Sequence, residues 1–85
     1  MLKVFSIYDT KSEHYGQPFF MKTKGAALRG FTDLASDPNT DIGKHPQDYV
    51  LFEIGEFDQD KGMLYPKEAI TSLGVATEFL QQDLP

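Results

Sequence analysis

Leu2-Lys3-Val4-Phe5-Ser6-Ile7-Tyr8 has the pattern of a β-strand, with β-branched and aromatic residues in most places and no glycine or proline to interrupt it. Side chains alternate across a strand, so Leu2, Val4 and Tyr8 point one way and Phe5 and Ile7 the other. Apolar residues on both faces call for a central place in a sheet, with a layer over each side. A single helix covers one face only, which makes a symmetric homodimer the simplest remedy for the other.

Working outward, residues 9–16 (DTKSEHYG) are polar turn material. Pro18 holds Gln17 extended, so 19–22 reads as a short extended segment or edge strand. The spacing of Ala27, Leu28, Phe31, Leu34 and Ala35 predicts a helix over 24–36 with Thr23 as N-cap. Arg29, Thr32, Asp33 and Ser36 take its outer side, where Arg29 and Asp33 are spaced to pair weakly. Asp37-Pro38 ends it, and 38–47 (PNTDIGKHPQ) is a loop of about ten residues, a length often tied to function or mobility.

A second strand covers 49–57, with Val50, Phe52 and Ile54 on one face and Tyr49, Leu51 and Phe57 on the other. Asp58-Gln59-Asp60-Lys61-Gly62 turns it into a third strand at 63–65, Gly62 being free to take positive φ. Pro66 suits the first position of a helix, and Ala69, Ile70, Leu73 and Ala76 form a partial stripe broken by Gly74. The expectation is a short helix or turn over 67–73, then an ordered irregular segment through Phe79 and Leu80. The fold class is therefore α+β: a small mixed or antiparallel sheet of three to four strands, with one main helix packed on one face.

At 85 residues the chain is read as one domain, 1–85, with a core small enough for a partner or second copy to matter. It has no cysteine, which excludes disulfides and thiolate zinc sites and fits a reducing cytoplasm. No apolar run approaches a membrane span and the N-terminus lacks a signal-peptide core, so a soluble intracellular product is expected, with no membrane partner. Charge is divided. Through Thr32 there are five cations against two carboxylates; from Asp33 on, three cations face eleven carboxylates, for a total of −5. Such a split points to two unlike electrostatic surfaces.

Catalytic and metal sets do not assemble from these residues. His14 and His45 stand alone in polar loops, outside ligand spacing of one another. Asp58-x-Asp60-x-Gly62 has the start of a calcium loop, but Gly62 takes the fifth position and Ala69 the twelfth, where carboxylates are needed. Ser6, Ser12, Ser36 and Ser72 have no nucleophile-elbow context, and the glycines show no phosphate-loop spacing. The expectation is a non-enzymatic protein with no cofactor, no metal site and no catalytic residue.

What remains is basic and aromatic: Lys11, Tyr15, Phe19, Phe20, Lys22, Lys24 and Arg29 interleave cations with rings, as single-stranded nucleic-acid binders do. Phe19 and Phe20 are equally suited to the core. A net charge of −5 repels a polyanion at long range, so composition alone favours a protein-interaction role.

The strings Lys3-Val4-Phe5-Ser6-Ile7-Tyr8-Asp9, Gln17-Pro18-Phe19-Phe20, Ala26-Ala27-Leu28-Arg29-Gly30-Phe31 and His45-Pro46-Gln47-Asp48-Tyr49-Val50-Leu51-Phe52-Glu53-Ile54-Gly55-Glu56-Phe57-Asp58, in that order and spacing, resemble the small nonstructural protein of gokushovirus-type microviruses. These are single-stranded DNA phages. Ser72-Leu73-Gly74 and Glu78-Phe79-Leu80 fit the same pattern. The resemblance implies a non-capsid protein of the host cell cytoplasm that binds single-stranded DNA and assists viral genome synthesis or packaging. Carried onto this chain, DNA contacts fall to Lys22, Lys24 and Arg29, with Lys3, Lys11 and Tyr15 as lesser candidates. The acidic second half departs from a simple DNA binder. The alternative it leaves open is a protein-interaction module that recruits a viral or host replication or packaging protein.

Overall fold

The structure is a computed structural model and describes residues 1–80. β1 (Leu2–Asp9) occupies the middle of a wholly antiparallel sheet, as its two apolar faces require. On one side it pairs with β2 (His14–Tyr15) and β3 (Phe19–Met21); on the other lies β4 (Tyr49–Asp58), followed by β5 (Met63–Val75) at the far edge. Between the two halves run α1 (Lys24–Ala35) and a one-turn α2 (Asp41–Lys44), with 3-10 turns at Pro46–Asp48 and Ala76–Phe79. The class is α+β with one main helix, as expected. The sheet is larger than the three to four strands the sequence suggested.

α1 begins where the Thr23 hydroxyl accepts the Ala26 N–H at 3.1 Å. Its Ala27, Phe31 and Ala35 are buried on Phe5 and Leu51 of the sheet, and Ala76 and Phe79 close the same cluster. Leu28 is half-buried and Leu34 is 38% exposed, so the fully buried stripe is narrower than the apolar spacing implied. Small residues at 27 and 35 let the helix sit close on the strands; Phe31 fills the space between, its ring 6.0 Å from that of Phe79. In the expected long loop, the Thr40 hydroxyl donates to the Leu34 carbonyl at 2.8 Å and accepts the Gly43 N–H at 2.9 Å, tying the end of α1 to the start of α2.

β2 and β3 behave as one edge strand with a single-residue slip. Tyr8 opposes Tyr15, but Phe5 opposes Phe19. Pro18, without an N–H, falls in the interruption. Buried Ser6 donates its hydroxyl to the Gly16 carbonyl at 2.8 Å, which holds the slipped segment to β1 and leaves no polar atom orphaned there.

The expected helix or turn over 67–73 is corrected: these residues belong to β5. Its partial stripe, interrupted by Gly74, has little intrinsic helical strength, whereas extension gives it the whole length of β4 to pair with. The pairing is irregular. Gly55 opposes Pro66 and Glu53 opposes Thr71, so residues 67–70 stand opposite Ile54 alone. The same residue is the extra one against β1, between Val4↔Gly55 and Phe5↔Glu53. A bulge of one residue reverses which way every later side chain points. Phe57 consequently joins the Leu2 and Val4 side and meets Phe20 at 5.6 Å, rather than the Leu51 side that strict alternation assigned. At Gly55 a Cβ would come within 2.6 Å of the Tyr65 carbonyl oxygen, so the close approach of β4 and β5 needs glycine there.

The hairpin turn is as the sequence indicated: Gly62 has φ 67° and donates to the Asp58 carbonyl at 2.8 Å, and the Asp58 carboxylate accepts the Asp60 and Lys61 N–H groups. Because Phe31 is the largest helical side chain in the core, Phe31→Ala should lower unfolding free energy by about 3–5 kcal/mol, measured by urea denaturation.

Candidate nucleic-acid interface

Three of the five N-terminal cations fall in one region. Lys22 directly follows β3, Lys24 opens α1, and Arg29 lies on the outer side of that helix; all three are exposed. Among the described residues no carboxylate comes within 4 Å of any of them, so the expected Arg29–Asp33 pair is not formed. Along α1, Arg29 lies about 7.5 Å beyond Lys24 and about 140° around the axis, so the two cations project from different sides of the helix.

The other two are elsewhere. Lys3 neighbours Met21 across β1 and β3, yet its ammonium lies 3.8 Å from the Glu53 carboxylate, which Lys67 also approaches at 3.5 Å. Lys3 is thus partly offset, sharing the single Glu53 charge with the closer Lys67. Lys11 sits in the β1–β2 turn, its N–H donating to Asp9 at 3.0 Å. From Lys3 to Asp9 the strand runs roughly 20 Å, so Lys11 is at the opposite end of the sheet from Lys22. Tyr15 lies on β2 against Tyr8 at 4.6 Å and Phe52 at 5.5 Å. That cluster belongs to the helix-free side, whereas Arg29 lies on the helix. The interleaving of cations and rings in the sequence is not one surface in the fold.

The hairpin carboxylates are separated from the basic group by the sheet order, whereas Asp33 stands one helical turn beyond Arg29 on α1. Asp58 and Asp60 lie in the β4–β5 turn, and β4 is two strand spacings, about 10 Å, from β3. A second acidic area surrounds Tyr49. It lines, with Asp9, Asp41, His14 and Tyr15, a shallow cleft of about 440 Å³ beside α2. Burial raises the Tyr49 phenol above its ordinary value, and Asp9, Asp41 and Asp48 raise it further through their charge. Asp9 shifts the opposite way, lowered first by the Lys11 N–H and then by Ser12. Among the described residues no group of three or more His, Asp or Glu side chains is placed to hold a metal ion, and no helix is long and apolar enough to cross a membrane.

The sequence did not single out the exposed apolar residues of β5, Leu64 and Ile70, which share the helix-free side with Tyr15 and Phe20. Once 67–73 is read as a strand, Ile70 becomes sheet surface.

A small βββαββ domain of one antiparallel sheet and one covering helix, basic at the helix start and acidic at the hairpin, is the class these features define. The chain belongs to the Phage ORF5 protein family, which matches residues 2–79. It is similar to Protein ORF5 of Chlamydia phage 1, with 36% identity over 85 residues, covering 93% of this chain and 88% of that protein. That phage is a gokushovirus-type microvirus, in agreement with the resemblance found in the sequence. No solved structure matches the chain.

The Tyr49 environment is open to test. An acid whose pKa is raised by folding stabilises the fold below its unfolded value and loses that contribution as pH rises through the folded value. Stability should therefore fall above about pH 10, and Tyr49→Phe should remove that part of the alkaline loss. In ultraviolet difference titration against Tyr49→Phe, Asp9→Asn should bring the Tyr49 phenol back toward its ordinary value.

Proposed function

We propose that this chain is a non-enzymatic, nonstructural phage protein that binds single-stranded DNA in the host cell cytoplasm and assists viral genome synthesis or packaging. The observation that carries the reading is the group Lys22, Lys24 and Arg29: exposed, without a carboxylate within 4 Å among the described residues, and set around the first turns of α1. Its ammonium and guanidinium groups suit phosphates, and the contact is electrostatic and independent of base sequence. Membership of a family found in a phage, which the resemblance places among single-stranded DNA phages, supports that ligand class. With Lys3 engaged by Glu53 and Lys11 at the other end, these two contribute less than the main three.

Three phosphate contacts on a single strand give a log–log salt slope of about −2. Fluorescence anisotropy with a short single strand should show that slope. Replacing Lys22, Lys24 and Arg29 together by glutamine should weaken binding about tenfold or more and flatten the salt dependence. Stability should stay within about 0.5 kcal/mol, since all three are exposed. Salt-independent binding, or an unaffected triple variant, removes the reading.

A second reading, recruitment of a viral or host replication or packaging protein, rests on the β4–β5 turn, where Asp58 and Asp60 adjoin exposed Met63, Leu64 and Tyr65. Under it, Asp58→Lys with Asp60→Lys abolishes recovery of the partner from infected cells, and DNA affinity is absent in every variant.

A further inference from the structure

The sheet has two faces and α1 covers one. On the other, Tyr15 is 49% exposed, Phe20 42%, Leu64 61% and Ile70 42%. Between Phe20 and Leu64 runs an apolar groove of about 220 Å³ over Val4 and Ile54, whose one charged lining residue is Glu56. It continues toward Tyr15 and Ile70 past Pro18 and Pro66. A contiguous apolar surface of this kind on a small soluble protein marks an interaction site.

We propose that a second copy of this chain covers the helix-free face, sheet against sheet, in a twofold-symmetric dimer. Three observations select that occupant. First, the face carries both projecting apolar side chains, Leu64 and Ile70, and an apolar groove to receive them, which is what an interface that meets itself needs. Second, the groove is lined by one charge of each sign, Glu56 and Lys67, so it offers no net charge with which to hold a basic or acidic partner, and two copies with net charge −5 meet where neither is strongly charged. Third, the size allows it. A standard interface takes about 800 Å² from each partner, which a patch elongated along the 49 Å axis of the molecule can supply within its 27 Å width.

Pairing through the exposed edge of β5 is the competing geometry, and the edge is built against it. Pro66 offers no N–H, residues 67–70 bulge, and Lys67 and Glu68 place charge there. Contact through the face leaves Lys24 and Arg29, both on α1, outside the interface.

Light scattering coupled to gel filtration, on the full chain without DNA, decides the matter. At micromolar concentration the expected mass is twice that of the 9.6 kDa chain, and the melting temperature rises with concentration. Leu64→Lys with Ile70→Lys should give a monomer whose far-ultraviolet circular dichroism is that of the parent; Leu64→Lys alone, at the most exposed position, repeats the test if the double variant does not fold. Leu34→Lys, on the exposed flank of the helix, should leave the dimer intact. A monomeric parent, a dimer that persists in the folded Leu64 variants, or a dimer broken by Leu34→Lys instead overturns the proposal.

Discussion

β1 buries side chains on both of its faces, and the rest of the molecule is arranged around that demand. Phe5 is enclosed under α1, while Val4, its immediate neighbour, is buried on the opposite side among Phe20, Ile54 and Pro66. Backbone pairing on both sides satisfies the polar groups of the strand, and the strands that provide it bring the apolar side chains covering Val4. Ser6 is the one buried polar side chain of the set, and it is satisfied by the Gly16 carbonyl of the neighbouring edge. The two faces then differ in completeness: helix and 3-10 turn close one, and a layer of side chains alone covers the other.

The irregularity at Ile54 has consequences well beyond one residue. By placing an extra residue in β4 against β1 it sends Phe57 to the helix-free side, and by standing opposite residues 67–70 it interrupts the outer strand. The first effect enlarges the aromatic surface on that side; the second blunts the edge of the sheet. A bulge thus moves the available hydrophobic surface from the edge to the face, where association closes on itself rather than propagating.

Charge follows from strand order in a different way. A basic first third and an acidic remainder become a helix start and a hairpin turn, separated by the width of the inner strands. The pairing of Lys3 with Glu53 shows the limit of counting charges along the chain: two residues fifty apart become neighbours because β1 and β4 pair. Exposure without a counter-ion among the described residues is shared by Lys11; what distinguishes Lys22, Lys24 and Arg29 is their place at the end of β3 and the first turns of α1.

The identity of the central strand, the α1 stripe with its Thr23 cap, the β4 strand and the Gly62 turn were legible in the residues, because each depends on local periodicity or on a conformation that one residue type favours. Family resemblance was legible too, since it resides in the order of residues. The length of β5, the facing of Phe57, the separation of Tyr15 from the helix cations and the pairing of Lys3 with Glu53 were not. Each is set by which strand lies beside which and in what register, and pairing energy between distant segments overrides the weak local preferences that a linear chain displays.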